Sequence, residues 1–369
     1  MKRNAQKVLG IMVGLLFVQQ GFSQQALTAD SIYRISKKAG DWQLQLWRTQ
    51  GWPHPEYHWT NGAAYAGLIA FAKEKGDTVY FDFLKHIGSD LNWNTGPGRS
   101  NADDYCVGQT FAQLAMVFHE PSWIRQFRNQ ADSIMNRPHT ESLEFKDGIV
   151  AREWAWCDAL FMGPPAFAYL ASVTKDLKYL DSASVWWWRT TDYLYDKDEH
   201  LYYRDSRFFG QREKNGSKVF WSRGNGWVMA GMVRMMENMP ADYPDRPRFE
   251  KLYLDMAEKI TQLQQPDGTW HASLLDPLHY PVMETSGTGF FCYALAWGIE
   301  HGILKKSAYM PAVLKAWAAL SGSIHADGKL GNVQQIGEKP ETVTADDTES
   351  YGVGAFLLAG SEMVRIVRQ

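Results

Sequence analysis

The sequence has few cysteines, little net charge and no long apolar run apart from its first residues. Its three cysteines, Cys106, Cys157 and Cys292, are odd in number and widely separated, so they provide neither a disulfide framework nor a Cys-x-x-Cys metal motif. We expect them to be buried thiols in helices. The formal net charge of −3 does not suit a nucleic-acid-binding protein, which needs a basic face.

The apolar run at the N-terminus has the features of a signal peptide. Basic residues precede the apolar stretch 8–18, which has about half of the ~20 residues that a membrane span requires. Gly21 and Ser23 are small residues at suitable positions for cleavage. We predict a signal peptide over residues 1–23 and export of the mature chain to the periplasm or the medium. No later segment is long and apolar enough to span a membrane.

Aromatic residues are abundant, with 16 Trp, 17 Tyr and 18 Phe. Many of the tryptophans lie beside Gly, His, Asp or Arg in segments that look like loops. Burial in a core explains some of them. Aromatic rings in a cleft also bind the apolar C–H face of a sugar ring, so the composition is compatible with a carbohydrate ligand.

The sequence predicts helices throughout the chain, because apolar residues recur at i, i+3, i+4 and i+7 in twelve segments. These segments are residues 29–47, 61–75, 77–89, 102–118, 120–135, 158–173, 176–195, 224–238, 246–264, 285–301, 306–321 and 348–365.

Every second helix has a distinctive start. The six starts are NGAAYAG, DDYCVGQ, DALFMGPP, GNGWVMAG, SGTGFFCYA and TESYGVGAF. Their mixture of Gly or Ala with large apolar groups suits closely packed inner helices, whereas the intervening helices have one charged face and suit an outer layer. The alternation predicts an all-α fold, a closed (α/α)6 barrel formed by residues 24–369 as a single domain. An open α-solenoid is the alternative.

Short hairpins precede several inner helices, at residues 197–205, 265–271 and 325–332. In a barrel these loops and the N-termini of the inner helices gather at one end. The free N–H groups and the positive dipole end of each helix favour anionic ligands there. We therefore expect the functional site at this end of the barrel.

Two acidic positions stand at the starts of neighbouring inner helices. Asp158 follows Trp154 and Trp156, whose rings would desolvate the carboxyl group, raise its pKa and suit it to general acid catalysis. Asp103 and Asp104 hold the corresponding place on the preceding inner helix, and paired carboxylates are typical of glycoside chemistry. The alternative for each of these residues is N-capping of its helix.

A third candidate is Arg223, which lies between Trp221 and Trp227 in the segment 221–231. A guanidinium group binds a carboxylate in a bidentate manner, so Arg223 is a candidate for anion binding. A structural role for this arginine is equally compatible with the sequence.

Other motifs carry less chemistry. His54 and His58 flank a proline in a loop and lack a HExxH pattern, so a metal site is disfavoured. Thr285 and Ser286 do not lie in a GxSxG nucleophile motif, and we expect their hydroxyls to cap a helix.

Three segments together resemble the unsaturated uronyl hydrolases of glycoside hydrolase family 105. They are EWAWCDALFMGPP (153–165), WSRGNGWVMAG (221–231) and ETSGTGFFCYALAWGI (284–299), and the similarity runs from about Trp59 to the C-terminus. The resemblance implies an (α/α)6 barrel and a substrate with a 4,5-unsaturated uronic acid at its non-reducing end. It implies hydration of the double bond, without a metal or nucleotide cofactor.

The resemblance also implies roles for individual residues. Asp158 would protonate C4 before water adds at C5, and Asp103 would orient the water or the sugar hydroxyls. The implied substrate-binding residues are Trp59, Trp156, Trp221, Arg223 and Trp227.

One segment departs from the family pattern. Many relatives carry a histidine where LYYRDSRF (201–208) has Arg204 and Asp205. A glucuronyl substrate is therefore as compatible with the sequence as a galacturonyl one, and Arg204 becomes a candidate contact for the uronate carboxylate. A non-catalytic sugar-binding protein, or a lyase or epimerase on the same barrel, are the alternatives, since a fold alone does not establish chemistry.

Overall fold

The computed structural model describes residues 27–368. The predicted signal peptide and its cleavage point lie outside the described residues. Within them, no helix has the length and apolarity needed to cross a membrane.

Helices form nearly all of the regular structure. The α-helices are α1 (Ala29–Gln50), α2 (Trp59–Lys75), α3 (Thr78–Asp90), α4 (Gly108–Phe118), α5 (Arg125–Met135), α6 (Ile149–Glu153), α7 (Ala159–Met162), α8 (Pro164–Thr174), α9 (Lys178–Leu194), α10 (Ser222–Met236), α11 (Arg246–Gln262), α12 (Thr285–Glu300), α13 (Lys306–Gly322) and α14 (Ser350–Arg368). Two short antiparallel pairs join β1 (Tyr195–Asp196) to β2 (Leu201–Tyr202) and β3 (Trp270–His271) to β4 (Met283–Glu284).

Six helices form a closed inner ring. In order around the ring α2, α4, α8, α10, α12 and α14 each pack on the next, and α14 packs on α2. Helix α1 lies outside α14, α3 outside α2 and α4, α9 outside α8, α11 outside α10, and α13 outside α12. The prediction of an (α/α)6 barrel is confirmed, and the open solenoid is excluded because the first and last inner helices are in contact.

Small residues make the closure of the ring possible. A Cβ atom added to Gly67 of α2 would collide with the backbone of Gly354 on α14, and one added to Gly354 would collide with the carbonyl oxygen of Ala63. Glycine is required at this crossing because the two backbones are in direct contact. The Gly and Ala content of the inner helices thus has a packing reason.

Two predicted inner helices are interrupted where they approach the barrel rim. The segment 102–118 begins with a 3-10 turn, Ala102–Tyr105, before α4. The segment 158–173 is divided at Gly163 because Pro164 has no N–H to continue the hydrogen-bond ladder. Both candidate acids therefore lie on short turns and not on long helices.

The lesser predictions have mixed outcomes. All three cysteines are buried free thiols, but only Cys292 lies inside an α-helix.

Helix α12 is capped by the carboxylate of Glu284, so the prediction that Thr285 and Ser286 cap it is wrong. The Thr285 hydroxyl instead donates to the carbonyl oxygen of Gly331, and the Ser286 hydroxyl donates to Glu284. His58 caps α2 and its ring stacks on that of His54.

Candidate active site

A cavity of about 160 Å³ lies at the end of the barrel where the inner helices begin. Its walls are formed by Trp59, Asp103, Trp156, Asp158, Met162, Arg204, Trp221, Arg223, Ile336, Gly337 and Glu338. Seven of the eight residues that the sequence indicated are therefore together in one cavity. Trp227 is the exception.

Asp158 precedes α7 without capping it. Its side chain makes no hydrogen bond to the N-terminus of that helix, in contrast to the N-cap alternative. The Oδ2 atom instead accepts a hydrogen bond from the Cys157 thiol at 3.4 Å and lies 3.6 Å from Nε of Arg204. The nearly buried carboxyl group is thus directed into the cavity.

Burial raises the pKa of Asp158, and the positive charges of Arg204 and Arg223 oppose that rise. Loss of water disfavours the ionised form of a carboxyl group more than the arginines favour it here. Asp158 therefore keeps its proton to a higher pH than an exposed aspartate. That property is what a general acid requires.

Asp103 is likewise free of a capping role. The cap of its 3-10 turn is Asn101, whose side-chain oxygen accepts from the Asp103 N–H at 3.2 Å. Burial, followed by the negative charges of Asp158 and Asp104, raises the pKa of Asp103 to about 7. Asp103 therefore exchanges its proton near neutral pH and can act as an acid or a base beside Asp158.

Asp104 points away from the cavity although it is adjacent in sequence. Its carboxylate packs against the backbone of Gly96 and Gly98, where a Cβ atom on either glycine would collide with it. Asp104 is absent from the cavity wall. Of the two neighbouring acids, the structure places only Asp103 in the site.

Arg204 is held in place by a buried acid. Its Nη1 donates to Oδ2 of Asp205 at 2.7 Å, and its carbonyl oxygen accepts from the Cys157 N–H at 2.8 Å. Asp205 is fully buried and also binds Nε and Nη2 of Arg207. These bonds fix the guanidinium group of Arg204 beside Asp158, because a buried carboxylate retains its hydrogen-bond partners strongly.

Arg223 binds main-chain oxygens and no carboxylate in the described chain. Its Nη1 donates to the carbonyl of Gln334 at 2.6 Å and its Nη2 to that of Gln335 at 2.9 Å. The guanidinium group also lies over the ring of Trp221, 4.3 Å from its centroid. These bonds give Arg223 a structural role, yet its positive charge is left without a contacting anion and faces the cavity.

The tryptophans lie at different depths. Trp59 stacks on Tyr351 with ring centroids 5.3 Å apart, and Nε1 of Trp221 donates to Gln334 at 2.9 Å. Trp156 contributes directly to the wall. Trp227 has no exposed surface and packs on Phe290, so it supports the site from behind Trp59 and does not line it.

Four wall residues were not anticipated from the sequence. Met162 follows Asp158 by four residues, a helical spacing that could have indicated it. Ile336, Gly337 and Glu338 belong to the loop of residues 333–349 before α14, which has no periodic pattern. Only the return of this loop over the barrel brings them to the cavity.

Similarity to known proteins extends over the whole described barrel. A family model described as Glycosyl Hydrolase Family 88 matches residues 33–367. A protein from Formosa agariphila named unsaturated 3S-rhamnoglycuronyl hydrolase is 37% identical, over 99% of this chain and 100% of its own. A protein of the same name from Alteromonas sp. (strain LOR) is 34% identical, over 90% of this chain and 85% of its own.

Two solved structures are also similar, each with a TM-score of 0.82. One is a glycosyl hydrolase family 88 protein from Bacteroides vulgatus, 29% identical over 92% of this chain and 99% of its own. The other is named a polysaccharide lyase and is 30% identical over 92% of this chain and 98% of its own.

These matches confirm the resemblance to unsaturated uronyl hydrolases. The sequence motifs resembled family 105, and the family model that matches is that of family 88. The chain is a glycosidase that removes an unsaturated uronic acid by hydrolysis, as the resemblance implied. Because the family model covers almost every described residue, this protein is a member of Glycosyl Hydrolase Family 88.

Proposed function

We propose that this hydrolase acts on oligosaccharides in which the unsaturated uronic acid is joined to a sulfated rhamnose, with Asp158 as the proton donor. The observation that carries the assignment of the donor is the buried carboxyl group of Asp158, with a raised pKa, beside Arg204 and Arg223 in one small cavity.

The size of the cavity supports a single sugar ring as the group bound there. Its volume of about 160 Å³ is well below the roughly 300–1,000 Å³ of pockets that enclose drug-sized ligands. The terminal uronic acid is therefore the part of the substrate that enters. The aromatic wall of Trp59, Trp156 and Trp221 suits the apolar face of the ring.

The charges of the cavity support a uronate. Arg223 presents a positive charge that no carboxylate of the described chain contacts, and Arg204 lies on another part of the wall. A substrate carboxylate near these groups gains Coulombic stabilisation that a neutral sugar does not. We therefore propose that the substrate binds close to Asp158.

The proposed chemistry uses the two acids in sequence. The proton of Asp158 passes to C4, the π electrons of the C4–C5 double bond form the new C4–H bond, and the ring oxygen stabilises the positive charge at C5. Water adds at C5 and its proton passes to the Asp103 carboxylate. The hemiketal then opens, and the rearranged product releases the next sugar as an alcohol. The route starts from the form of the pair in which Asp158 holds the proton and Asp103 is ionised, since the negative charge of one acid favours the protonated form of the other.

The nature of the next sugar is proposed from the relatives. The hydrolases from Formosa agariphila and Alteromonas sp. carry the name unsaturated 3S-rhamnoglycuronyl hydrolase, which we interpret as a rhamnose with a sulfate at position 3, and each covers most of this chain. A second cavity of about 380 Å³ adjoins the first and shares Gly337 and Glu338 with it. Its walls include Arg207 and Lys339 as well as Glu338 and Glu341, so it offers cations to a sulfate group where these acids do not occupy them.

The deciding experiment uses purified enzyme and a panel of unsaturated disaccharides released by lyases. The panel varies the uronic acid (glucuronyl or galacturonyl origin), the next sugar and its sulfation. We expect the ultraviolet absorbance of the conjugated double bond to disappear fastest with sulfated rhamnose as the next sugar. Equal rates for all next sugars would contradict the proposed specificity, and no loss of absorbance with any member would contradict the proposed chemistry.

A lyase activity is the second candidate, because one similar solved structure is named a polysaccharide lyase. A lyase creates the double bond, so the absorbance would rise when the enzyme is incubated with an intact uronate polysaccharide. A sugar-binding protein without activity would change the absorbance of neither substrate. The sign of the change therefore separates the three alternatives.

We also propose that the chain is exported, on the basis of its first 23 residues. Fractionation of cells that express the full chain, with N-terminal sequencing of the product, tests this. We expect a mature protein that starts near Gln24 outside the cytoplasm. An intact N-terminus in the cytoplasmic fraction would contradict the proposal.

A further inference from the structure

We propose that Glu338 is a specificity-determining residue, because its carboxylate competes with anionic groups of the substrate for the guanidinium groups of Arg204 and Arg207. The inference rests on the proposed function and adds to it a residue that the sequence did not indicate.

The contacts of Glu338 place it between the two arginines. Its Oε2 atom lies 2.7 Å from Nη2 of Arg207, and its Oε1 atom lies 3.5 Å from Nη2 of Arg204. The side chain of Glu338 is 49% exposed, whereas that of Arg204 is 13% exposed. The carboxylate is therefore the partner that a substrate anion can reach, whereas the guanidinium group of Arg204 is bound from the buried side by Asp205.

The local charges balance only when Glu338 is counted. Asp205 binds both arginines from the buried side, so two guanidinium groups face one buried carboxylate. Glu338 supplies the second negative charge at the surface of the cluster. When Asp158 holds its proton, as the proposed chemistry requires, an anionic group that replaces Glu338 meets a net charge of +1, which is favourable to it.

Glu338 lies where the two cavities meet. Gly337 and Glu338 belong to the walls of both cavities, the one assigned to the uronic acid and the one assigned to the next sugar. A sulfate on the next sugar, close to the glycosidic bond, is therefore near this cluster. The uronate carboxylate has Arg223, which is paired with no carboxylate in the described chain, so it is not subject to the same competition.

The backbone that carries Glu338 is firmly held. Gln334 accepts from Arg223 and from the hydroxyl of Tyr351, and its N–H donates to the buried carboxylate of Glu284 at 3.1 Å. Its side-chain amide donates to the carbonyl of Lys339 at 2.8 Å and closes the turn that contains Glu338. Movement of the Glu338 side chain therefore does not require the loop to unfold.

The test compares Glu338→Gln with Asp346→Asn. Asp346 lies on the same loop, 87% exposed, and pairs with Lys329 at 2.8 Å, so its substitution removes one paired carboxylate away from the arginine cluster. Steady-state kinetics are measured with two unsaturated disaccharides that differ only in sulfation of the next sugar. Binding of inorganic sulfate is measured separately by calorimetry.

We expect Glu338→Gln to lower KM for the sulfated disaccharide about two- to fivefold, the range of a partly exposed charge pair. KM for the unsulfated one should change less, and inorganic sulfate should bind more tightly. Asp346→Asn should behave as the wild type. An unchanged or higher KM in Glu338→Gln, or the same decrease in Asp346→Asn, would overturn the inference.

The two proposals fail in different ways. If wild-type enzyme hydrolyses neither disaccharide, the proposed specificity fails. The calorimetric comparison of sulfate binding does not depend on turnover, so equal sulfate affinity in wild type and Glu338→Gln overturns the role of Glu338 by itself.

Discussion

The Nε atom of Arg204 lies 3.6 Å from Oδ2 of Asp158 and has no hydrogen-bond partner in the described chain. This separation is too long for a good hydrogen bond, so the guanidinium group acts on the carboxyl group mainly through its charge. Burial raises the pKa of Asp158 and Arg204 opposes that rise. The arginine thereby adjusts the pH at which the proposed acid loses its proton.

Substitution of Arg204 should shift the pH profile in a defined direction. Without the positive charge of Arg204 the neutral form of Asp158 is favoured further, so its pKa rises. We expect Arg204→Gln to move the alkaline limb of kcat/KM to higher pH and Arg204→Lys to restore part of the original position. A limb that stays in place or moves to lower pH in Arg204→Gln would show that this charge does not act on the titrating group.

Removal of the proposed proton donor should affect turnover more than folding. Asparagine has nearly the shape of aspartate but no proton to donate to C4, and general acid catalysis contributes about 10²–10⁴-fold. We expect kcat of Asp158→Asn to fall by a factor in this range, with a thermal unfolding transition at least as high as that of wild type. A folded Asp158→Asn enzyme with near-wild-type kcat would eliminate Asp158 as the donor.

The raised pKa of Asp103 predicts a pH-dependent stability difference. An aspartate with an ordinary pKa of 3.8 in the unfolded chain and about 7 in the folded chain is bound to more protons when folded, so stability falls as pH rises from about 4 to about 7. Asp103→Asn has no such loss. Its free energy of unfolding relative to wild type should therefore increase over this interval and level off above it.

Urea unfolding at about pH 4, 5.5 and 8 measures the free energy of unfolding of both proteins across this interval. Asp147→Asn is the control, because Asp147 is exposed on a loop and is not one of the acids that raise the pKa of Asp103. A stability difference for Asp103→Asn that is constant with pH would contradict the raised pKa.

The crossing of α2 and α14 predicts a penalty for a single methyl group. A Cβ atom on Gly354 would meet backbone atoms of Ala63 and Ala64 that have no room to move. Overpacking of this kind costs about 1–3 kcal/mol, so Gly354→Ala should lower the free energy of unfolding by that amount.

Gly322 provides the matched control for this change. It ends α13, and a Cβ atom there would have no neighbour within 4 Å. Gly322→Ala should be neutral or stabilise by up to about 1 kcal/mol through the unfolded state. Equal effects of the two substitutions would show that the inner ring is less tightly closed than the glycine contacts indicate.

Much of the site was predictable because its signals are local. The alternation of glycine-rich and amphipathic helices follows from side-chain periodicity, and it predicts inner and outer helices without knowledge of any contact. The packing of α14 on α2 then decides between a closed ring and an open solenoid. The starts of the inner helices then place Asp158 and Asp103 at one end. The helix interruptions at 102–118 and 158–173 were missed, although Pro164 was a visible signal for the second.

The partners of the site residues were decided by the tertiary structure alone. Arg223 binds the carbonyl of Gln334, 111 residues further along the chain, and the same distant loop brings Glu338 to the cavity. Neither contact leaves a mark in local periodicity. Trp227 shows the same limit, since its depth behind Trp59 depends on how neighbouring helices pack. By itself the sequence determined the alternation of inner and outer helices, the end that carries the chemistry and the acids that stand there, because short-range patterns encode them. The closure of the cavity and the balance of its charges depended on long-range contacts that only the folded chain establishes.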